Sequence, residues 1–289
     1  MTRFIFEAIG TSWRIDIDAE LSSARETELL SRIKKRIDEF DRAYSRFRPD
    51  SLVTKMSQKI GTYELPDDAL PMISLYKELY DLTGGKLTPL IGNVISDAGY
   101  DAVYSLKQKK ALEAPPSWDE ILEYAHPNLT IRKPVILDFG AAGKGYLIDI
   151  VGGVLESEGV ISYMIDAGGD IRHRGSEPAK IGLEDPDDLS KVVGVYPLSN
   201  SSICGSAGNR RRWGDFTHII DPKTLKSPTE IVATWVAAES TLLADGLATA
   251  LFFTEPEILT AKHPFEYAVI YKDRSVKASD GFSKAIFKG

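Results

Sequence analysis

Cysteine is almost absent from this chain of 289 residues, and long apolar runs are absent altogether. The single Cys204 excludes an internal disulfide and any zinc cluster built from cysteines. No stretch approaches the roughly 18 apolar residues of a membrane span, so none is predicted. The first residues lack the apolar segment and the small-residue cleavage site of a secretory signal. These absences predict a cytoplasmic protein, or a periplasmic one if a signal segment has been removed.

Positive charge is also scarce. The net charge is −7, and no basic run is longer than residues 210–212. A protein that binds a nucleic-acid backbone needs a basic face, so this charge balance argues against nucleic acid as a partner. The remaining composition, 43% hydrophobic and 27% charged, is typical of a globular protein that buries a core without disulfides.

Nothing in the sequence divides the chain into separate units. Without a repeat, a low-complexity tract or a linker, it predicts one compact α+β body over residues 1–289. Alternating apolar and polar residues over 4–17 predict a strand pair or a bent strand. Apolar residues at three- and four-residue spacing predict helices over 22–44 and 67–82, and the glycines at 84–85 are expected to end the second helix.

The middle and the carboxyl-terminal part of the chain mix shorter elements. We expect a short helix over 118–124, a buried strand at 135–137 and a helix over 146–157. A further strand is expected over 160–165. The rest of the chain reads as strands around one helix over 240–253. Two of these predicted strands run directly into glycine-rich turns, where a ligand could approach the backbone.

The first glycine-rich turn covers residues 138–146. Its three glycines and two alanines leave room for a ligand, and the start of the following helix favours an anion. The spacing is that of neither a Walker loop nor Gly-x-Gly-x-x-Gly. A tight connection without a ligand explains this turn equally well.

The second glycine-rich turn covers residues 166–170. It is either a simple turn with glycines at positive φ, or a place where amides and a carboxylate contact a ligand. The polar turn at 45–51 would, by itself, be structural.

His218 is informative because the chain has only four histidines and this one lies between a predicted strand and an Asp-Pro turn. A lone histidine is more often structural than catalytic. Here, Asp221 could orient the imidazole or share its ligand.

Asp245 and Thr249 are four residues apart in the predicted helix over 240–253, so they share one face. An aspartate inside such an apolar helix is costly to bury unless it is paired or bound to a cation. Carboxylate and hydroxyl oxygens suit magnesium better than zinc. The alternative is an aspartate that caps the helix beside a core threonine.

Taken together and in this order, these segments resemble the ApbE family of FAD:protein FMN transferases. The resemblance runs from the Gly-Thr-x-Trp near the start to about residue 253. The family's motifs are matched at residues 10–13 (Gly-Thr-x-Trp), 45–51 (Ser-x-Tyr/Phe-x-x-x-Ser), 83–88 (Thr-x-Gly-x-Phe-Asp, loosely), 138–149 (Asp-x-Gly-x-x-Ala-Lys-Gly-Tyr-x-x-Asp), 168–170 (Gly-Gly-Asp/Asn), 204–210 (Ser-Gly-x-x-x-Arg), 218–222 (His-x-Ile-Asp-Pro) and 244–250 (Ala-Asp-x-x-x-Thr-Ala).

The resemblance implies an α+β fold of two intimate halves with FAD in the cleft between them. It places magnesium on Asp245, Thr249 and a backbone carbonyl near Gly143. It makes His218 the candidate general base, which takes the proton from a Ser or Thr hydroxyl of an acceptor protein as FMN is transferred and AMP leaves. The residues expected to contact FAD are Phe47 (against the isoalloxazine), Asp138, Lys144, Gly168, Gly169, Asp170, Ser206 and Asp221.

Three positions depart from the family pattern. The aspartate after Gly-x-Phe is Thr88 here, the alanine before Lys144 is Gly143, and the glycine after Asp-Pro-x-Thr is Leu225. The first departure removes one possible ligand, and the last alters the turn after His218. Two other functions stay open: an FAD pyrophosphatase that releases FMN and AMP, and a flavin-binding protein without catalysis.

Overall fold

The alternating residues at the start of the chain form an antiparallel hairpin. Strand β1 covers Thr2–Ala8 and β2 covers Thr11–Ile17, with Ile9 and Gly10 in the turn at positive φ. The apolar side chains of β2 are buried on one face, as an alternation of period two requires. The prediction of a strand pair over 4–17 is confirmed.

A computed structural model gives the structure and describes residues 1–109, 111–208 and 211–287. The strands after β2 are β3 (Gly61–Glu64), β4 (Leu122–Ala125), β5 (Asn128–Ile131), β6 (Tyr163–Ala167), β7 (Asp170–Arg174), β8 (Ala179–Glu184), β9 (Val192–Leu198), β10 (Ser202–Ala207), β11 (Arg212–Trp213), β12 (Phe216–Thr217), β13 (Ile231–Ala238), β14 (Glu266–Tyr271) and β15 (Val276–Ala278). The α-helices are α1 (Ser23–Tyr44), α2 (Leu52–Met56), α3 (Leu70–Leu82), α4 (Gly92–Ala98), α5 (Trp118–Ile121), α6 (Gly143–Ser157), α7 (Thr241–Ala250), α8 (Pro256–Thr260) and α9 (Asp280–Ala285).

One large antiparallel sheet organises the molecule, with strand order β1-β2-β6-β7-β10-β13-β14-β15. Helices α1, α6 and α7 pack on one face, over the larger core cluster. The β8–β9 hairpin and α9 enclose a second cluster that includes Ile203 and Ala237. Their neighbours in β10 and β13, Cys204 and Val236, belong to the first cluster, so the two faces alternate along each strand. The predicted compact α+β body is confirmed.

The two long amino-terminal helices agree with the predictions. Helix α1 begins after Ser22, whose side chain accepts a hydrogen bond from the amide of Arg25. The predicted helix over 67–82 is a short 3-10 turn, Asp67–Ala69, that continues into α3. Glycines 84 and 85 both have positive φ and end α3 as expected.

The prediction of a strand at 135–137 is wrong. Val135 and Leu137 are buried, but their segment pairs with no strand of the described chain. Its backbone bonds instead to a 3-10 turn (Pro89–Ile91) and to the start of α4, since the amide of Asp138 donates to the Pro89 carbonyl at 2.7 Å and that of Ile136 to Asn93 Oδ1 at 2.8 Å. Residues 135–137 are therefore an irregular segment that contributes to the core, not a strand.

Other element boundaries also moved. The predicted helix over 118–124 is only α5, and the chain then enters β4, which pairs with β5. Strand β6 lies about two residues later than the expected 160–165, and α7 is shorter than 240–253, with Ser240 as its cap. Helix α6 begins at Gly143 rather than 146, so part of the glycine-rich turn is helical.

The described residues include no helix that is both long and apolar enough to span a bilayer.

Candidate active site

In the turn before α6, three backbone amides donate hydrogen bonds to side chains of the protein. The amides of Ala141 and Ala142 donate to the Tyr76 hydroxyl at 3.1 and 3.2 Å, and that of Gly140 donates to Asp138 Oδ1 at 2.7 Å. These donors are therefore satisfied by protein groups. These three amides are therefore not available to an anion, and the expectation that the start of α6 favours an anion stays a prediction.

Asp245 is enclosed where α6 and α7 pack together. It is 6% exposed, and its Oδ2 accepts a hydrogen bond from the amide of Gly145 at 2.8 Å. The alternative of a capping aspartate is excluded, because Ser240 caps α7 and Asp245 lies within the helix. Burial, followed by the charge of Asp170, raises the pKa of Asp245 well above its usual range. Such a carboxylate favours a proton or a cation as its partner.

Gly145 permits this contact. A Cβ at that position would lie 2.2 Å from the Thr241 carbonyl oxygen and 2.6 Å from Cβ of Asp245. Gly145→Ala is expected to force α6 from α7 and to lower the free energy of unfolding by about 1–3 kcal/mol. The matched control is Gly153→Ala on an open face of the same helix, expected to stabilise by about 0.5–1 kcal/mol. Urea denaturation measures the free energy of unfolding of both variants. If Gly145→Ala is as stable as Gly153→Ala, the two helices have room to adjust.

Thr249, one helical turn after Asp245 in α7, brings its hydroxyl close to two further oxygen atoms. Its Oγ1 lies 3.4 Å from the Ala141 carbonyl oxygen and 3.4 Å from Ser206 Oγ. The carbonyl that reaches Thr249 is thus that of Ala141, two residues before Gly143. No cluster of three or more His, Cys, Asp or Glu side chains suited to a metal occurs within the described ranges. A metal here would rely on one carboxylate together with hydroxyl and carbonyl oxygens.

Lys144 brings a positive charge to the same region. Its ammonium pairs with Asp170 and donates to the Ala167 carbonyl at 3.1 Å. Burial alone would lower the pKa of Lys144, but Asp170 and Asp245 outweigh it, so the pKa is raised and the side chain stays charged. The turn between β6 and β7 thus supplies a buried carboxylate to the start of α6.

Gly168 and Gly169 form that turn, both at positive φ. A Cβ on Gly168 would lie 2.2 Å from Thr11 Oγ1, so the Gly-Thr turn of the first hairpin packs against it. The reading of 166–170 as a tight glycine turn is correct. The expected contact of these two glycines with FAD stays a prediction.

His218 follows the β11–β12 hairpin, whose Trp213 packs with Ile220 and α4 in a third apolar cluster. Its Nδ1 is enclosed and has no hydrogen-bond partner among the described residues. Burial, with help from Arg211, lowers the pKa of His218 to about 4, while Asp138 acts in the opposite direction. The imidazole is therefore neutral near pH 7, and it lies within electrostatic reach of both Asp138 and Lys144.

Asp221 has a different set of partners. Its Oδ1 accepts hydrogen bonds from the amides of Lys223 and Thr224 at 2.7 and 3.2 Å, and its Oδ2 lies 3.7 Å from Lys86 Nζ. None of these contacts reaches His218, so the structure does not support the idea that Asp221 orients the imidazole. The turn it closes keeps Leu225 at φ +59°, a conformation that favours the glycine expected there.

Phe47 lies in an aromatic group at the edge of the site. Its ring stacks on Tyr104 with centroids 5.3 Å apart and contacts Tyr100 edge-on at 5.7 Å. The Arg46 guanidinium lies 4.1 Å from the Phe47 ring centroid and also pairs with Asp138. Sequence reasoning missed Arg46, because an arginine in a polar turn is usually exposed. This one has 5% of its side chain exposed.

The structure therefore joins five of the predicted site residues around the start of α6 and the turn before it. Asp138, Lys144, Asp170, Asp245 and Thr249 are linked to it directly by hydrogen bonds, ion pairs or close electrostatic contact. The last two residues of the predicted motif at 204–210, Asn209 and Arg210, lie outside the described residues.

The fold and the site define an α+β protein with a buried, oxygen-rich site between two helices and one large antiparallel sheet. A family model described as the ApbE family matches residues 9–268. Because this match covers most of the chain, the protein belongs to the ApbE family, and the resemblance predicted from the motifs is confirmed.

Curated relatives named FAD:protein FMN transferase extend this finding. The one from Escherichia coli (strain K12) is 23% identical over 274 residues, covering 87% of this chain and 78% of the relative. The one from Haemophilus influenzae is 24% identical, covering 96% and 89%.

Solved structures agree on the fold. A structure described as flavin transferase ApbE from Vibrio cholerae superposes with a TM-score of 0.82 at 22% identity, over 99% of both chains. The ApbE protein of Thermotoga maritima gives a TM-score of 0.80 at 19% identity, again over 99% of both chains.

Proposed function

We propose that this protein transfers FMN from FAD to a Ser or Thr hydroxyl of an acceptor protein, with magnesium, and releases AMP. Membership of the ApbE family and the similarity to relatives named FAD:protein FMN transferase support flavin transfer from FAD. The observation that carries the proposal is the buried Asp245 carboxylate, one helical turn before Thr249, whose hydroxyl lies 3.4 Å from the Ala141 carbonyl oxygen.

The residues at this point fit a magnesium ion. Asp245, Thr249 and the Ala141 carbonyl offer only hard oxygen atoms, which magnesium prefers, and few protein ligands leave positions for phosphate oxygens. A raised pKa at Asp245 means that the carboxylate has no cation that fully compensates its burial. When bound, magnesium would neutralise the pyrophosphate and polarise the phosphorus–oxygen bond that breaks.

The chain's own residues supply the remaining functions. Lys144, held by Asp170, places a fixed positive charge near the expected phosphates. The acceptor oxygen attacks the FMN phosphorus, its proton passes to the neutral imidazole of His218, and the bond to the AMP oxygen breaks. The Nδ1 of His218 has no hydrogen-bond partner within the described chain, and a buried polar atom without a partner is one mark of a functional group.

Product analysis tests the proposal against the two other functions. The protein is incubated with FAD, magnesium and a candidate acceptor that presents an accessible Ser or Thr, and the products are separated by chromatography and mass spectrometry. FMN attached to protein supports transfer. Free FMN with AMP indicates a pyrophosphatase, and unchanged FAD that stays bound indicates a carrier.

Magnesium is expected to tighten FAD binding. The pair Asp245 and Thr249 lies beside the expected phosphates, so metal and pyrophosphate should bind together and each should raise the affinity of the other. Fluorescence titration of FAD with magnesium and with a chelator measures the difference. Equal affinities under both conditions would contradict a shared metal site, whatever the products of the reaction.

A further inference from the structure

Three evenly spaced contacts join α7 to α6 and to the turn that precedes α6. The amide of Thr241 donates to Asp149 Oδ1 at 2.9 Å, that of Gly145 to Asp245 Oδ2 at 2.8 Å, and the Thr249 hydroxyl lies 3.4 Å from the Ala141 carbonyl oxygen. From one contact to the next, the residue number rises by four in α7 (241, 245, 249) and falls by four in the other segment (149, 145, 141). This is the pattern of two antiparallel helices in one defined register.

Asp149 lies at the end of this series that is farthest from Thr249. Its Oδ1 accepts from the amide of Thr241 and its Oδ2 from that of Leu242 at 2.8 Å, so one carboxylate takes the first two free amides of α7. Ser240 takes the next, through its side chain, at 3.2 Å. A negative charge at this end of a helix is also favoured by the helix dipole.

Arg172 keeps Asp149 in place. Its guanidinium donates to Asp149 Oδ1 at 2.6 Å and, on the other side, to Glu156 Oε1 at 3.2 Å. Arg172 belongs to β7, so the start of α7 is tied through Asp149 to both α6 and the large sheet. The central contact, between Gly145 and Asp245, is a single hydrogen bond and cannot define the register alone.

We infer that Asp149 is a positioning residue, which sets the register of α7 against α6 and thereby holds Asp245 and Thr249 opposite the Ala141 carbonyl. The inference rests on the proposed magnesium site, because it gives that register a function. Without the carboxylate, the first turn of α7 loses two acceptors and its attachment to the sheet. The helix can then shift by a fraction of a turn, and the oxygen atoms no longer converge.

Asp149→Asn tests this with little change of shape. The amide keeps one acceptor oxygen but turns an NH2 group toward Arg172 or toward the amides of Thr241 and Leu242. The magnesium concentration at half-saturation of FAD binding is measured by FAD fluorescence, without acceptor, well below the Tm of the variant. It is expected to rise by about 10- to 100-fold, the usual cost of removing a group that orients metal ligands.

Glu156→Gln is the matched control. It removes the other acidic partner of Arg172. Among the described residues the side chain of Glu156 bonds or pairs with Tyr163, Arg172 and Arg174, none of which belongs to α7, so half-saturation by magnesium should stay that of the wild type. A lower Tm in Asp149→Asn, with unchanged half-saturation, would show a structural role only and overturn the inference. If FAD binding by the wild type itself does not depend on magnesium, the proposed function fails first, and the wild-type titration alone shows this.

Discussion

Asp245→Ala is expected to lose FMN transfer by about three orders of magnitude or more while the chain stays folded. A metal that stabilises transition-state charge is worth several kcal/mol, and each 1.4 kcal/mol or so is about tenfold in rate. The neighbours of Asp245 in α7, Ala244 and Gly246, offer no side-chain oxygen to replace it. The transfer rate, with circular dichroism on the same preparation, measures this. A fully active Asp245→Ala would refute the metal assignment.

Asp245→Asn separates the charge from the helix contact. Asparagine keeps an oxygen for the amide of Gly145 and nearly the same shape, but cannot be negative. The pKa of Asp245 is raised in the folded protein, so its contribution to stability is complete below the unfolded pKa and is lost as the pH rises through the folded pKa. At neutral pH without magnesium, the variant should therefore melt no lower than the wild type. Magnesium with FAD should raise the Tm of the wild type only.

A matched pair of variants also tests the role of the Thr249 hydroxyl. Thr249→Ser keeps the hydroxyl oxygen next to Ala141 and Ser206 and should retain most of the activity. Thr249→Ala removes that oxygen and should abolish turnover with the fold intact. If the two variants lose activity equally, the methyl group and its packing matter, and Thr249 is not a ligand.

His218→Ala is expected to bind FAD and magnesium normally and to lose transfer by about two to four orders of magnitude, the usual contribution of general-base catalysis. The reason is the enclosed Nδ1, which has no partner within the described chain and is neutral near pH 7. Single-turnover transfer at saturating FAD, FAD affinity and Tm should be measured on the same preparation. His126→Ala, an exposed histidine in the β4–β5 hairpin, is the control and should behave as the wild type.

The pH dependence provides an independent test of His218. Its pKa of about 4 means that the base is available above that value and is lost only as the pH falls toward it. In the wild type, kcat/KM should then show no decline near the ordinary histidine pKa of about 6.5. If His218→Ala transfers normally at saturating FAD but has a lower Tm or weaker FAD binding, the imidazole only packs in the fold. The base would then be sought in Asp221 or another oxygen of the site.

Local sequence patterns predicted those parts of the fold that local physics determines. The first hairpin and α1 were predicted because alternation and three- or four-residue spacing each leave one apolar face to bury. The glycines of the motif at 138–149 were interpreted as room for a ligand, whereas the structure shows that one of them, Gly145, permits the close approach of α7. The order of the motifs along the chain then led to the ApbE family.

Local sequence patterns gave wrong or missing predictions where a residue's structure depends on a partner far away in the chain. The triplet at 135–137 is as apolar as a strand, but Asn93 and Pro89 hold its backbone, and neither is visible in its own sequence. Arg46 is buried only because Asp138 and the Phe47 ring surround it. Both are long-range contacts, so no local window of residues contains them.

The sequence by itself determined the class of the protein, the positions of its longest helices, and the residue types that could bind a metal and a phosphate. Only the tertiary structure decided that Asp245 is buried against Gly145, that Asp149 holds the start of α7, and that Nδ1 of His218 is unpaired within the described chain. The physical reason is that a side chain's charge state and partners depend on burial and on neighbours about a hundred residues away. Periodicity reports which face of an element is buried, but not what it is buried against.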